Sequence, residues 1–343
     1  MSASTTTPPV PAGAAVSAAR SPLLGYALMF GVIAALPFFG AYPIFVMKVL
    51  CYALFACAFN LLIGFTGLLS FGHAAFLGTA AYAAGHALKV WGLPAPLGLV
   101  FGAGAAAAVG LAFGWLAIRR SGIYFSMITL ALSQMLFFFF LQAPFTGGED
   151  GLQSVPRGRF LGLDLANDMT LYYVVLGIFI AAFWLIYRTV HSPFGQVLTS
   201  IRENEPRAVS LGYDTDRFKL VAFVLSAALA GLAGATKTLV LGFGTLTDAV
   251  WTTSGAVILM TLVGGMGTMV GPMVGALVII ALENKIGDLG KALAEVSGIS
   301  WFNGLGESVT LVTGLIFIVC VLAFRRGLVG ELDHLLKKHR GGG

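Results

Sequence analysis

Ile44-Phe-Val-Met-Lys-Val-Leu-Cys-Tyr-Ala-Leu-Phe-Ala-Cys-Ala-Phe-Asn-Leu-Leu-Ile63 contains one charge, Lys48, and one amide, Asn60. A helix of that length rises about 30 Å, the thickness of a bilayer's hydrocarbon layer, so the stretch reads as a membrane span. Working outward, similar apolar runs lie at 23–40, 68–88, 96–118, 124–142 and 171–187. Beyond a polar interruption at 188–219, further runs follow at 220–243, 254–264, 270–282 and 308–324. The expected fold is an all-α polytopic membrane bundle of about ten transmembrane helices.

Composition supports this reading. Of the 343 residues, 58% are apolar and 10% charged, whereas a soluble domain is about a quarter charged. These proportions exclude a cytosolic enzyme, a nucleic-acid reader and a disulfide-stapled secreted domain. Cys51, Cys57 and Cys320 lie in apolar runs without metal-ligand spacing, as small buried residues do. The 45 glycines suit a bilayer, where helices associate by close backbone approach at small residues.

Charge placement sets the expected orientation. If the spans alternate from a cytoplasmic Arg20, thirteen Lys or Arg fall inside, at Arg119, Arg120, within 188–219 and after residue 324 among others. Five fall outside: Lys89, Arg157, Arg159, Lys285 and Lys291. That asymmetry satisfies the positive-inside rule with both termini cytoplasmic. Residues 1–22, rich in Ser, Thr, Pro and Ala, read as a disordered cytoplasmic tail. A membrane domain occupies 23–328, with a cytoplasmic loop at 188–219 and an external loop at 143–170, and 329–343 form a charged cytoplasmic tail.

The most informative polar stretch runs from Ser192 to Asp216. Asn204 or Glu205 can cap a helix, Pro206 suits its first turn, and Gly212 can take the left-handed position that ends it. A helix of about two turns is expected. Ala208 and Leu211 would share an apolar face for docking, with Arg202, Glu203 and Arg207 as polar partners. An inert structured loop is the competing reading.

Four blocks carry a resemblance: Gly67-Leu-Leu-Ser-Phe-Gly-His-Ala-Ala-Phe-Leu-Gly78, Thr146-Gly-Gly-Glu-Asp-Gly-Leu152, Ile201-Arg-Glu-Asn-Glu-Pro-Arg207 and Gly264-Gly-Met-Gly-Thr-Met-Val-Gly-Pro272. In this order they resemble the high-affinity branched-chain amino acid permease family of ATP-binding-cassette importers, LivM type, over about residues 40 to 330. The resemblance implies a permease of the bacterial inner membrane. Its implied partners are a second homologous permease (LivH type), two cytoplasmic ATPase subunits, a periplasmic substrate-binding protein and membrane lipid, with no nucleic acid. The chain itself is expected to be no enzyme, with no cofactor, metal or catalytic residue. It lacks a Gly-x-x-x-x-Gly-Lys-Ser/Thr phosphate loop, and the near-miss at 231–238 lies inside an apolar run. The same resemblance makes the segment from Glu205 to Gly212 the coupling helix that seats in an ATPase groove.

Candidate path residues follow. Ser70, Gly72 and His73 sit where a discontinuous helix could leave backbone groups free for an amino acid's ammonium or carboxylate; close packing and a His73 hydrogen bond to a neighbouring helix are the alternative. Asn60, Gln134 and Lys237 are polar groups within spans, serving either the path or interhelical bonding and snorkelling. Glu149 and Asp150, among Gly147, Gly148 and Gly151, either meet the binding protein or form a solvated turn. Gly267, Gly271 and Gly275, spaced four apart, form a small-residue seam toward the partner permease or within the subunit.

Two other function classes are weighed. An ion-driven secondary transporter of small polar solutes often carries intramembrane carboxylates, and no acidic residue falls at the centre of an expected span. An intramembrane hydrolase needs a nucleophile elbow or a His-x-x-x-His pair, and neither is present. Among importers, urea, amides or aromatic acids are alternative cargoes.

Overall fold

The computed structural model describes residues 22–160, 162–297, 314, 315, 318 and 327–331. The chain divides into two units, one ending at Ala41 and one beginning at Tyr42. In the first, helix α1 (Pro22–Ala35) runs into a 3-10 turn at Leu36–Phe39.

The second unit holds the membrane bundle. Its helices are α2 (Pro43–Thr66), α3 (His73–Lys89), α4 (Ala95–Ala117), α5 (Ile123–Gln142) and α6 (Asp168–Val190). They continue with α7 (Pro193–Glu203), α8 (Glu205–Ser210), α9 (Thr215–Leu241), α10 (Trp251–Gly264) and α11 (Gly271–Ser297). Local chemistry sets their bounds: Pro43 occupies the first turn of α2, and Asn167 caps α6 by accepting from Met169 N at 2.9 Å. Strands β1 (Arg159–Phe160) and β2 (Leu163–Asp164) pair antiparallel in the loop before α6.

Among the described residues, α2, α4, α5, α6 and α9 are long and apolar enough to cross a membrane. The most enclosed is α2, with 83% of its apolar window buried, whereas α5 at 28% lies at the periphery. The organising helix is α9, which packs against α2, α3 and α4. These contacts work through missing side chains. A Cβ on Gly234 would sit 2.2 Å from the Leu77 carbonyl oxygen, and one on Gly231 would sit 2.3 Å from Ala106 Cβ. Bilayer helices gain from such approach because lipid offers no hydrophobic drive between them.

Several expected bounds change on inspection. The run at 68–88 does not begin as a helix: Gly67 takes a left-handed turn (φ +78°), and helix resumes only at His73. Likewise α9 stops at Gly242 (φ +75°), and a buried turn at Leu246–Ala249 leads into the short α10. That turn reaches the middle of α3, where Ala249 Cβ lies 2.7 Å from the position of a Gly78 Cβ. Thus α3 begins inside the bundle, whereas α10 begins at the exposed Trp251 directly after a buried turn. The run expected at 270–282 continues as α11 to Ser297, so Lys285 stands on a helix rather than in a loop. The expected span at 308–324 lies outside the described residues except for helical Gly314, Leu315 and Ile318, as do most of the two tails.

The bundle has two distinguishable ends joined by α9. At one, α7 lies beside the C-terminal end of α2 and the loop between α10 and α11, α8 packs against α7 and α9, and Gly327 lies against Gly265. At the other, Leu152 pairs with Gly244, Val155 N donates to Gly242 O at 2.7 Å, and Lys89 Nζ donates to Gln153 O at 2.7 Å.

Candidate functional site

The polar segment between α6 and α9 folds as two helices where one was expected. In α7, Ser192 accepts from Gly195 N at 3.4 Å, Pro193 stands in the first turn, and Leu198 and Ile201 face inward. In α8, Asn204 Oδ1 accepts from Arg207 N at 3.1 Å, with Pro206 in the first turn. It ends as the sequence indicates: Gly212 turns left-handed (φ +91°), and Tyr213 N donates to Ala208 O at 3.2 Å and Gly212 N to Val209 O at 2.9 Å.

The expected docking face needs correction. Ala208 is 1% exposed and packs into its own chain, whereas Leu211 is 69% and Val209 54% exposed. Because α8 is so short, only its Ala208 side touches the bundle, and the outward apolar group is Val209, Leu211 and Tyr213. Glu203 and Arg207 stand exposed beside it.

Two charged contacts tie this segment to the spans. Glu205 forms an ion pair with the buried Lys219 of α9 and also accepts from Thr215 Oγ1 at 3.4 Å. Arg202 donates through Nη1 to Gly64 O at the end of α2. Its aliphatic stem crosses Gly67 so closely that a Cβ there would lie 2.8 Å from Arg202 Cγ. Asn60 meets the adjoining glycine loop with both ends of its amide, Nδ2 donating to Thr268 O and Oδ1 accepting from Gly267 N, each at 2.9 Å. Asn60 and Arg202, distant in sequence, thus converge where α2 and the α10–α11 loop meet.

The start of α3 lies deep in the subunit, and three amides there are already taken, whereas an open path would leave them free. Phe71 N donates to Thr129 Oγ1 at 3.2 Å, Gly72 N to Ser70 Oγ at 3.2 Å and Ala74 N to Ser254 Oγ at 2.9 Å. Buried amides need partners, and these hydroxyls supply them. His73 is fully buried among Phe59, Phe76 and Phe223, with Nε2 2.9 Å from Ser226 Oγ. Ser226 spends its proton on Ala58 O at 2.6 Å, so His73 donates through Nε2 and its Nδ1 is left bare. Ser70, Gly72 and His73 therefore serve an interhelical junction. Gln134 is half-buried on α5, and Glu149 and Asp150 are exposed on a 3-10 turn.

Lys237 does not snorkel. It is buried and ion-paired with Asp248, whose other oxygen accepts from Thr245 N at 3.4 Å in a capping box. The Lys237 ammonium also stands 5.7 Å from the Tyr52 ring centroid. Asp248 was missed in the sequence because it lies outside every apolar run; Thr245-x-x-Asp248 was the signal that could have found it. Lys219 and α7 were missed too, although Ser192-Pro193 before Phe194, Leu198 and Ile201 marks an amphipathic helix start. Beyond Tyr52, a cleft of about 450 Å³ opens between α2, α10, α11 and Gly314.

Residues 42–323 match the family described as branched-chain amino acid transport system, permease component. The chain is 25% identical over 261 residues to the high-affinity branched-chain amino acid transport system permease protein LivM of Escherichia coli (strain K12), covering 69% of this chain and 61% of that protein. It is 32% identical over 190 residues to the ribose import permease protein RbsC of Bacillus subtilis (strain 168), covering 52% and 51% respectively. With the autoinducer 2 import system permease protein LsrC of Klebsiella pneumoniae the identity is 28% over 152 residues, 41% of this chain and 42% of that one. No solved structure matches. The family match covers most of the chain, including the buried start of α3 and the α7–α8 segment, and the chain belongs to the branched-chain amino acid transport system permease component family.

Proposed function

We propose that the chain is one transmembrane permease of an ATP-driven importer in the bacterial inner membrane. With a second homologous permease it forms the path for branched-chain or related amino acids. Two cytoplasmic ATPase subunits drive it through α8, and a periplasmic binding protein delivers the solute, with Glu149 and Asp150 as its docking candidates. About ten spans with both termini cytoplasmic complete the reading, in which 188–219 is the coupling loop.

The observation that carries this reading is the wiring of α7 and α8. Val209, Leu211 and Tyr213 face outward, while Glu205 is paired to α9 and Arg202 to α2. Charge-assisted contacts of this kind are among the stiffer noncovalent links in a protein. A push on the exposed apolar group is thereby passed to the ends of two long helices, which is what coupling to a nucleotide-driven partner requires. The amino-acid cargo rests on the family description and the LivM relatives, since RbsC and LsrC are named for other solutes.

The test is reconstitution of the whole complex with Leu211→Asp or Val209→Asp in this chain. Assembly is expected to persist, with ATP-driven leucine uptake lost or uncoupled from hydrolysis. Coupled uptake at the unmodified rate would reject α8 as the drive point, and hydrolysis by the purified chain alone would reject the division of labour.

A further inference from the structure

Helices α4 and α6 leave an apolar groove between them, apart from both the coupling segment and the cleft beside Tyr52. Its floor is Leu229 and Leu232 of α9, and its walls include Val100 of α4 and Leu185 of α6. The groove holds about 340 Å³, within the size range of small-molecule sites, and it is long. Leu229 stands twelve residues before the end of α9, about 18 Å of helix. Phe160 of β1 lines the groove nearer that end, where Arg157 Nη2 donates to Val240 O at 3.2 Å. Val100 is 69% and Leu185 41% exposed, so nothing among the described residues fills the groove.

The β1–β2 hairpin closes the end of the groove, β1 packing on α4 and β2 on α6. Side chains alternate along a strand, and the hairpin divides accordingly. Phe160 and its cross-strand partner Leu163 take one face, Arg159 and its partner Asp164 the other. Phe160 lines the groove, while Arg159 and Asp164 line a polar recess of about 540 Å³. One strand thus separates an oily groove from a charged recess, the order of acyl chain and head group in a phospholipid.

The charges of the recess discriminate between head groups. Arg157 is spent on Asp168 at 2.7 Å. Among the described residues, the Arg159 guanidinium has no ion-pair or hydrogen-bond partner. Asp164 accepts from Ala166 N through Oδ1 at 3.0 Å and makes no ion pair, although it stands opposite Arg159 in the register. One cation and one anion are left side by side and unpaired, which complements a head group carrying both charges. A purely anionic head group meets Asp164 as a repulsive neighbour.

We propose that the groove and the hairpin bind an ethanolamine phospholipid. One acyl chain lies between α4 and α6 on Leu229 and Leu232, the phosphate meets Arg159 and the ammonium meets Asp164. The site does not depend on the importer reading, in which this lipid belongs to the leaflet away from the ATPase subunits.

The test is native mass spectrometry of the purified, delipidated full-length chain, titrated with phosphatidylethanolamine and phosphatidylglycerol of identical acyl chains. Phosphatidylethanolamine is expected to bind preferentially. Arg159→Gln should weaken it about fivefold, the worth of one basic residue at a lipid surface. Asp164→Asn should weaken phosphatidylethanolamine while strengthening phosphatidylglycerol, cancelling the preference. Both side chains are exposed, so these variants leave the packing intact. Leu232→Trp fills the floor of the groove and should weaken both lipids alike. Equal or stronger binding of phosphatidylglycerol by the unmodified chain, or no effect of Leu232→Trp, would overturn the proposal. So would cross-linking of a cysteine placed at Val100 to the second permease in the reconstituted complex, because protein rather than lipid would then cover the groove.

Discussion

Lys237 and Asp248 show why a buried charge is judged by its partner. Both side chains are under a tenth exposed, in surroundings where either charge alone would be strongly disfavoured. Their pairing holds the turn at Leu246–Ala249 against α9, and through it Ala249 against Gly78. Lys237→Met or Asp248→Leu alone should therefore cost about 3–5 kcal/mol, because each strands the other charge. The double change should recover much of that loss, since two apolar residues need no compensation. Thermal unfolding of the detergent-solubilised chain and its variants measures both effects; additive losses would show that the pair is not coupled. Asn60 is the uncharged counterpart. Asn60→Leu removes both bonds to the glycine loop and should cost about 1–3 kcal/mol per stranded backbone group, read in the same experiment. The sequence shows that Lys237 and Asn60 lie in apolar runs. Their partners, Asp248 and the Gly267–Thr268 backbone, lie eleven and about two hundred residues away, and pattern alone cannot join them.

At the level of elements, the glycine spacing and the α8 boundaries illustrate what a sequence discloses. Asn204, Pro206 and Gly212 end up in the capping, first-turn and left-handed positions expected of them, because these residues have strong local preferences. Which side of α8 faces out was not legible, since that depends on the bundle beneath it. The seam of Gly267, Gly271 and Gly275 resolves toward the interior of the subunit. Gly267 lies in the loop, while a Cβ on Gly275 would sit 1.7 Å from the Met260 carbonyl oxygen and one on Gly271 2.5 Å from that of Gly265. The α10–α11 hairpin thus closes backbone to backbone. Gly275→Val should force it apart at a cost of at least about 1–3 kcal/mol, whereas Gly255→Ala on the open face of α10, with nothing within 4 Å, should be nearly neutral. Folded yield and melting temperature of the two variants separate these cases, and equal tolerance would mean that the hairpin is not closed as described.

For the whole molecule, hydropathy locates apolar segments but does not reveal where a helix pauses inside the bundle. The run at 68–88 reads as a span, yet α3 starts within the bundle at His73, with Ala74 N held by Ser254 and the preceding Phe71 N by Thr129, and the buried turn containing Asp248 precedes α10. An amide satisfied by a distant hydroxyl costs no more than one in a helix, so apolar composition alone does not distinguish the two. The two ends of the molecule, by contrast, agree with the charge count. Arg202, Arg207, Arg217 and Lys219 gather at the α7–α8 end, and the loop holding Ser154 lies at the other, its residues Leu152 and Val155 bonded to 242–244. The basic bias predicts that the first end is cytoplasmic. Cysteine introduced at Ser210, exposed in α8, should react with a membrane-impermeant maleimide only after the cells are opened. Cysteine at Ser154, exposed in the loop between α5 and α6, should react in cells whose outer barrier alone is permeabilised. The reverse pattern would invert the topology and place α8 out of reach of any cytoplasmic ATPase. Labelling of both sites from one side would contradict the span count between them, because α6 alone separates residue 154 from residue 210.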